Sequence, residues 1–291
     1  MRPAFACVVL TQGGRPDVLN LALESLLRQR GVDVDVVVVG NGWQPVGLPD
    51  GVRGVGLSED RGIPAGRNAG VPHARGDLLF FLDDDASLAQ DDALERLARQ
   101  FAAEPDVGLV QLRVASRTGG LEPRDWVPRL RVGDRARSGD VTLVWEGAVS
   151  MPRRVFEEVG GWPAEFRFVH EGVDLAWRVL GAGHRVAYRG DLVALHPSPP
   201  PIPAPERHGY AYYFGARNRV WLARRHLPWP LAPLFVATFL ARTVPGIRSA
   251  RHLREAVRGY RDGLRQDCGA RRPLSARTLW RMTRAGRPPV I

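Results

Sequence analysis

Leu78-Leu79-Phe80-Phe81-Leu82-Asp83-Asp84-Asp85 is the stretch that decides the fold of this sequence. Its five consecutive apolar residues predict a strand buried on both faces, as in a parallel sheet. Three carboxylates follow, and side-chain alternation along an extended chain directs Asp83 and Asp85 to one side and Asp84 to the other. Adjacent acids repel one another unless a cation joins them, and oxygen ligands suit Mg²⁺ or Mn²⁺. The alternative is a solvated acidic turn, and the run alone favours neither interpretation.

Strand and helix patterns alternate around this stretch. Strands are predicted at residues 5–10, 33–39, 52–57, 78–82 and 107–114, and helices at residues 19–30, 63–74 and 94–101. This alternation is typical of an α/β fold with an open, doubly wound, mostly parallel sheet. Ligands of such sheets bind outside the carboxyl ends of the strands. Because Thr11, Asn41, Asp60 and the three acids each follow a predicted strand, we expect them to line one crevice, which favours the ligand-binding interpretation of the acids.

The pattern changes after this region. Residues 113–140 lack periodicity, which is typical of a lid, a binding loop or a disordered segment. Further strands are predicted at residues 141–145, 184–188 and 192–196, and helices at 152–159 and 173–180. A proline-rich linker at residues 197–205 then precedes a helical segment with interleaved aromatic and basic residues. We therefore expect a nucleotide-binding half at residues 1–110, a second half at 111–205 and a basic, aromatic helical extension at 206–291.

Composition narrows the class of protein. The chain has 291 residues, of which 44% are hydrophobic and 25% charged, enough for one large α/β domain with an appendage. Its net charge is +10, and all 41 basic residues are arginine. Arginine binds phosphate through paired hydrogen bonds, so this surface fits nucleotides, anionic lipid or nucleic acid. No nucleic acid partner is expected, because the arginines are spread along the chain and no recognised nucleic-acid-binding module is present.

The expected location is cytoplasmic. Cys7 and Cys268 form neither a disulfide framework nor a metal-type spacing, and the chain enters a strand directly without a signal peptide. The apolar segment at residues 231–241 is too short to span a bilayer. With Arg224, Arg225, Arg242 and Arg248 around it, this segment fits either peripheral association with the inner face of the membrane or a helix packed on the main domain.

Four collinear motifs carry a resemblance to a known family. They are a glycine-rich turn with Arg15, the Gly40-Asn41-Gly42 turn, the block at residues 58–70, and the triple aspartate. Over residues 4–227 the chain resembles family 2 glycosyltransferases of the GT-A fold, and residues 213–227 are most similar to bacterial rhamnosyltransferase-type members. The resemblance implies a metal-dependent, inverting transfer of a sugar from a UDP- or dTDP-type donor. The implied acceptor is a hydroxyl of a glycan, a lipid-linked glycan or a natural product.

The resemblance also implies which residues contact the nucleotide. Thr11 and Arg15 would lie near the base or ribose. Gly40 stands where the family has an aspartate that contacts the base, so Asn41 remains and Asp60 is expected to take over part of that contact. Gly62 would let the backbone approach the nucleotide, and Arg67 would neutralise phosphate.

The metal site follows from the same resemblance. Asp83 and Asp84 would bind ribose or water near the metal, and Asp85 would ligate the Mg²⁺ or Mn²⁺ that bridges the diphosphate. His196, at the end of a predicted strand, would join this site. Trp145 and Gly147 belong to the segment that shapes the donor-sugar and acceptor site in the family.

The proton acceptor is the main departure from the family pattern, because Gly172 occupies the position of the usual general base. Inverting transfer needs a carboxylate that takes the proton of the acceptor hydroxyl. Glu171 is adjacent and is the best candidate. Asp174, one helical turn further on, is a second candidate, although it fits equally a role in capping the helix or holding Arg178.

Two other functions remain open from the sequence. A nucleotidyltransferase would share the sheet and the acids, and Gly13-Gly14-Arg15 is a faint version of its phosphate loop. A catalytically impaired homologue that only binds a nucleotide sugar is suggested by Gly40 and Gly172. The sequence does not predict the oligomeric state.

Overall fold

The computed structural model describes residues 2–198, 209–247 and 249–290. Within these ranges the strands are β1 (Ala4–Thr11), β2 (Asp33–Gly40), β3 (Val52–Gly56), β4 (Leu78–Asp83), β5 (Ser87–Leu88), β6 (Val107–Ser116), β7 (Gly139–Asp140), β8 (Ala148–Pro152) and β9 (Arg185–His196). The α-helices are α1 (Pro16–Leu27), α2 (Ile63–Gly70), α3 (Ala93–Ala103), α4 (Arg153–Val159), α5 (Glu171–Gly181), α6 (Gly209–His226), α7 (Ala232–Thr243), α8 (Ala250–Arg265) and α9 (Ala276–Arg284).

The strands form one mixed sheet in the order β3-β2-β1-β4-β8-β6-β9-β5, with β7 beside β9. β3, β2, β1 and β4 are parallel neighbours, and β8 joins β4 to β6 in antiparallel fashion. β6 and β9 are again parallel. The prediction of a doubly wound α/β sheet is confirmed, and the sequence-adjacent acids of β4 lie at the carboxyl edge of its parallel half.

The apolar run that opens the sequence forms the centre of this sheet, as predicted. Phe80 and Leu82 face one layer, where they share a core with residues of α1 and α3. Leu79 and Phe81 face the other layer, where they share a core with residues of α4 and α5. Burial on both faces explains why the run has no polar alternation. The strand ends at Asp83, where the two apolar layers give way to a cavity.

Several predicted elements are wrong in detail. Residues 141–145 are not a strand, because Trp145 N donates to the Gln111 side chain at 2.7 Å rather than to a neighbouring strand, and the regular strand β8 begins later, at Ala148. The two strands predicted at residues 184–188 and 192–196 are one strand, β9, interrupted by a register shift. Helix α1 begins at Pro16, and α2 ends at Gly70 before a short 3-10 helix.

The C-terminal helices share a core with the sheet. Trp221 and Leu222 of α6, Phe235 of α7 and Met282 of α9 belong to the same buried cluster as Phe81. Most of the predicted linker, from residue 199 onward, lies outside the described residues. Among the helices that the structure describes, none has the length and apolar character needed to cross a bilayer.

Candidate active site

A cavity of about 750 Å³ lies at the carboxyl ends of β1, β2 and β4. Most of the predicted binding and metal residues line it: Thr11, Arg15, Asn41, Asp60, Gly62, Arg67, Asp83, Asp84, Asp85 and His196. The other predicted site residues, which are Trp145, Gly147, Glu171 and Asp174, do not line it. The convergence expected from strand ends is therefore observed for the residues that were predicted to bind the nucleotide and the metal.

Asp83, Asp85 and His196 form a group that could hold a metal ion. One ligand atom from each residue lies within 4.8 Å of the others. His196 Nε2 and Asp85 Oδ1 are 3.0 Å apart. Asp83 is the last residue of β4, and Asp84 and Asp85 lie in the turn that follows, where Ala86 N donates to Asp83 O at 3.0 Å. The predicted alternation, with Asp84 on the opposite side, is therefore wrong, because all three acids line the cavity. His196 arrives from the far end of β9.

Electrostatics favour charge separation between Asp85 and His196. Burial opposes ionisation of Asp85, but the hydrogen bond and charge of His196, together with the charge of Arg15, hold its pKa below the usual value. Burial likewise disfavours the imidazolium, but Asp85 raises the pKa of His196 above its usual value. The cluster is therefore a stabilised ion pair, and a metal ion bound to His196 would displace the imidazole proton.

Arg15 bridges the two remaining carboxylates. Its guanidinium donates to Asp84 Oδ1 at 2.6 Å and to Asp85 Oδ2 at 2.5 Å. Burial raises the pKa of Asp84, and the hydrogen bond from Thr11 and the charge of Arg15 only partly oppose this. Arg15 is thus an acid-binding group here, whereas the family resemblance implies a contact to base or ribose.

A hydrogen-bonded pair organises the side of the cavity formed by β2. Asn41 Nδ2 donates to Asp60 Oδ1 at 2.6 Å, and Asp60 Oδ1 also accepts from Gly62 N at 2.8 Å. A side chain at position 40 would overlap the carbonyl oxygen of Trp43. Gly40 therefore departs from the family aspartate because the chain folds back over it, and Asp60 is the carboxylate that stands next to Asn41.

A strained loop forms the opposite wall. Arg167, Val169 and His170 all have positive φ angles of 62° to 70°, which is unusual for residues with a side chain and especially for a β-branched one. Arg167 O accepts from Ile63 N at 2.9 Å, so the loop closes against the start of α2. Gly62 makes this approach possible, because any side chain there would overlap Arg167.

Helix α6 holds this loop in place. The amide of Asn218, which is 0% exposed, donates to the carbonyl oxygens of Phe166, Phe168 and Val169 at 2.8 to 3.0 Å. Arg217 donates to Asn218 Oδ1 at 2.9 Å and to Phe166 O at 3.1 Å. The helix thus supplies the donors that satisfy carbonyls left unpaired by the irregular backbone.

Trp145 and Gly147 contact two members of the Asp-Asp-His group. The Trp145 ring meets the His196 ring edge to face, with centroids 5.4 Å apart. Gly147 O accepts from Asp83 N at 2.9 Å, and a side chain at Gly147 would overlap the Trp145 ring. Both residues therefore contact members of the Asp-Asp-His group in this structure, whereas the family resemblance implies a place near the sugar.

Asp174 is a structural residue in this arrangement. Its carboxylate is 0% exposed and accepts from Arg178 at 2.7 Å, and it also pairs with Arg225 and His226 at 3.3 and 2.8 Å. Burial opposes its ionisation, but His226 and the two arginines hold the pKa of Asp174 well below its usual value. The predicted contact with Arg178 is therefore observed, whereas a fully buried carboxylate with three cationic partners is not placed to take a proton from an acceptor. Arg225 is thereby turned inward, so its predicted contact with a membrane surface is wrong.

Glu171 and Glu146 form a pair of neighbouring carboxyl groups, of which Glu171 is buried and Glu146 is partly exposed. Glu171 is 3% exposed, and its Oε2 atom has no hydrogen-bond partner. Burial raises the pKa of Glu171 and that of Glu146, and for Glu146 the nearby charge of Glu171 adds to the effect. Arg67 lies between this pair and the metal cluster, because its Nη2 donates to Asp83 Oδ1 at 2.6 Å and to Glu146 O at 3.2 Å.

Sequence reasoning missed the parts of the cavity wall that come from the strained loop and from α6. Arg167 and Phe168 come from the strained loop, and no local pattern signals their positive-φ backbone. Tyr210 and Phe214 come from α6, which lies in the predicted C-terminal extension. The interleaved aromatic and basic residues of α6 were the available signal, although they do not indicate where the helix packs.

These features together describe an α/β protein with a crevice at the carboxyl edge of its sheet and, in the wall of that crevice, an Asp-Asp-His group that could hold a cation. The chain belongs to glycosyl transferase family 2, whose model matches residues 7–160, or 154 of the 291 residues. The GT-A fold inferred from the sequence is confirmed by solved glycosyltransferases that share this architecture. These include the mannosyltransferase PcManGT of Pyrobaculum calidifontis, in complex with GDP-Man and Mn²⁺, with a TM-score of 0.54, 17% identity, and coverage of 98% of this chain and 73% of that one.

Other comparisons agree on the family. TarS of S. aureus, in complex with UDP-GlcNAc, has a TM-score of 0.62 and 14% identity over 90% of this chain and 80% of that one. The succinoglycan biosynthesis protein ExoO of Rhizobium meliloti is 34% identical over 35% of this chain and 32% of its own length. The pre-mycofactocin glycosyltransferase of Mycobacterium tuberculosis is 30% identical over 47% of this chain and 30% of its own length. The matches span about a third of these curated relatives.

Proposed function

We propose that this protein transfers a sugar, with inversion, from a nucleoside diphosphate sugar to an acceptor hydroxyl in a metal-dependent reaction. The observation that carries the proposal is the group Asp83, Asp85 and His196 in the wall of the cavity at the carboxyl edge of the sheet. A leaving nucleoside diphosphate gains negative charge, and a divalent ion held at this group would neutralise it.

The three side chains fit a divalent cation. Two carboxylates and one imidazole offer two oxygen ligands and one nitrogen ligand, which favours Mn²⁺ over Mg²⁺ because Mg²⁺ prefers oxygen alone. The mutual spacing within 4.8 Å leaves room for one ion among them. Trp145 and the β9 backbone hold His196 on one side, so little rearrangement is required of the protein.

The remaining cavity residues suit the nucleotide. Thr11, Asn41 and Asp60 offer polar atoms for the base or ribose, and Gly62 keeps the backbone accessible. Arg15 is placed to exchange its carboxylate partners for phosphate oxygens when a metal ion takes over those carboxylates. Asp84 would then be free to bind ribose or metal-bound water. Arg67 forms an ion pair with Asp83 and so orients that carboxylate.

The proposed donors are UDP- or dTDP-sugars, with a dTDP-deoxyhexose such as rhamnose favoured by the resemblance of residues 213–227. Proteins of similar fold bind GDP-Man and UDP-GlcNAc, so the base is an experimental question. The proposed acceptor is a hydroxyl on a glycan, a lipid-linked glycan or a natural product. The names of relatives, which include an O-antigen biosynthesis protein of Myxococcus xanthus, support the glycan class.

We further propose that residues 1–205 form the transferase domain, in which residues 1–110 bind the donor and residues 111–205 bind the acceptor. In this division the extension at residues 206–291 completes the cavity through α6. Exposed Trp229 and Leu234 near α7 support peripheral contact of this extension with the inner face of a membrane. Of the arginines predicted to flank that surface, Arg242 is exposed, whereas Arg248 lies outside the described residues.

Product analysis tests the proposal against its alternatives. The protein is incubated with UDP-N-acetylglucosamine, dTDP-rhamnose and GDP-mannose, each with Mn²⁺, Mg²⁺ or a chelator. Metal-dependent release of nucleoside diphosphate is the expected result. Release of pyrophosphate from the corresponding nucleoside triphosphate and sugar phosphate would instead identify a nucleotidyltransferase. Nucleotide binding without any turnover would identify a catalytically impaired homologue.

A further inference from the structure

Position 172 lacks a side chain because another residue already occupies its space. A Cβ atom at Gly172 would overlap Glu146 Oε1 and would lie 2.5 Å from Val144 O. Gly172 N donates to Glu146 Oε1 at 2.6 Å. The Glu146 carboxylate therefore sits directly against the first turn of α5, in the space that a side chain at position 172 would enter.

The surroundings of this carboxylate distinguish it from Glu171. Glu146 is partly exposed, whereas Glu171 is 3% exposed with an orphaned Oε2 atom. A buried oxygen without a partner favours the protonated acid, because an ionised one would lose its hydration without compensation. Glu146 instead accepts a backbone N–H at the amino end of an eleven-residue helix, where negative charge is favoured.

We propose that Glu146 is the carboxylate that accepts the proton of the acceptor hydroxyl, with Glu171 as a protonated neighbour. This inference rests on the proposed transferase function. It places the proton acceptor on the turn before β8, away from the α5 position where the family resemblance would look for it. Arg67 fixes the backbone at this position relative to the metal cluster, because it donates to the backbone carbonyl oxygen of Glu146 and to the carboxylate of Asp83.

The step balances without a further reactant. The acceptor oxygen forms a bond to the anomeric carbon, while the bond from that carbon to the diphosphate oxygen breaks. The bonding electron pair leaves with the nucleoside diphosphate, and the acceptor proton passes to Glu146. The raised basicity of a partly buried carboxylate suits it to this proton transfer.

Comparing two nucleophiles, water and azide, tests whether Glu146 acts as a general base. Water must lose a proton as it attacks the anomeric carbon, whereas azide attacks as an anion and needs no base. The experiment uses full-length protein with Mn²⁺ and the donors UDP-N-acetylglucosamine, dTDP-rhamnose and GDP-mannose, and it measures nucleoside diphosphate release with water alone and with added azide. In Glu146→Gln we expect the water reaction to fall at least about 100-fold, as general-base removal does, and the azide reaction to stay within about threefold of wild type.

Two variants complete the design. Glu24→Gln, on the exposed face of α1, should leave both reactions unchanged. Glu171→Gln should preserve the ratio of the azide to the water reaction, because it mimics the protonated acid. An unchanged ratio in Glu146→Gln, or a raised ratio in Glu171→Gln alone, overturns the assignment. Absence of turnover in wild type with every donor would count against the proposed function itself, which is a separate result.

Discussion

The contact between α6 and the strained loop allows a quantitative prediction. In Asn218→Ala, the carbonyl oxygens of Phe166, Phe168 and Val169 lose the amide that serves them. One amide group has two hydrogens, so about two hydrogen bonds are lost, and leaving a buried carbonyl unpaired costs about 1–3 kcal/mol. We therefore expect the free energy of unfolding to fall by about 3 kcal/mol, with the positive-φ conformation of Val169 adding to the instability of the loop.

Urea unfolding, monitored by tryptophan fluorescence, measures this loss. Asn20→Ala is the control, because Asn20 is exposed on α1, and it should change the unfolding free energy by less than about 0.5 kcal/mol. Asn218→Asp offers a second comparison, since a carboxylate has the same shape but no donor to give the three carbonyls. It should be at least as unstable as the alanine variant.

The loop also lines the cavity through Arg167 and Phe168, so Asn218→Ala should weaken donor binding as well as stability. The reasoning is refuted if Asn218→Ala unfolds at the wild-type urea concentration. It is also refuted if Asn218→Asp is as stable as wild type, because the carbonyls would then need no donor from α6.

Two further predictions concern α5. Gly172→Ala should lower the free energy of unfolding by about 1–3 kcal/mol through overpacking. The loss should be smaller in a Glu146→Ala background, where only the clash with Val144 O remains. Urea unfolding of wild type, the two single variants and the double variant measures this coupling, and equal losses in both backgrounds would contradict the packing argument. Asp174→Asn should cost about 3–5 kcal/mol because it leaves buried cations unpaired. The pKa of Asp174 is lower in the folded protein than in the unfolded chain. The stabilisation by its carboxylate is therefore fully present above the unfolded carboxyl pKa of about 3.9 and is lost as the pH falls through the folded pKa. Urea unfolding in a pH series should show this loss of unfolding free energy at acid pH in wild type and a smaller loss in Asp174→Asn.

The central sheet was predictable because burial leaves a direct mark on sequence. The apolar run before Asp83 and the valine run of β2 have no polar alternation, which is the pattern of strands covered on both faces. Turn residues after each strand then placed the ligand-binding loops at one edge. The same reasoning failed at residues 141–145, where apolar residues pack into the core and, within the described residues, only Val141 N donates to the backbone of a strand of the sheet, at Val186 O of β9.

The candidate site was predictable where it depends on strand ends, and not where it depends on distant packing. Asp83, Asp85 and His196 follow strands, and their meeting required only the sheet topology. The Glu146 side chain fills the space beside Gly172. No local sequence pattern predicts this contact, because the two residues lie on different elements. The conformation of the loop at residues 166–170 is likewise not predictable from its own sequence, because hydrogen-bond donors from α6 hold its backbone.

The most direct test of the account is the metal dependence of nucleotide binding. The melting temperature is measured with UDP, dTDP or GDP, with and without Mn²⁺, for wild type, Asp85→Ala and the exposed control Asp125→Ala. A ligand at 100 times its dissociation constant stabilises the native state by about 2.7 kcal/mol. The account predicts that at least one nucleotide raises the melting temperature of wild type and the control only when Mn²⁺ is present, and that Asp85→Ala loses this response. An equal Mn²⁺-dependent rise in Asp85→Ala would contradict the assignment of the metal site.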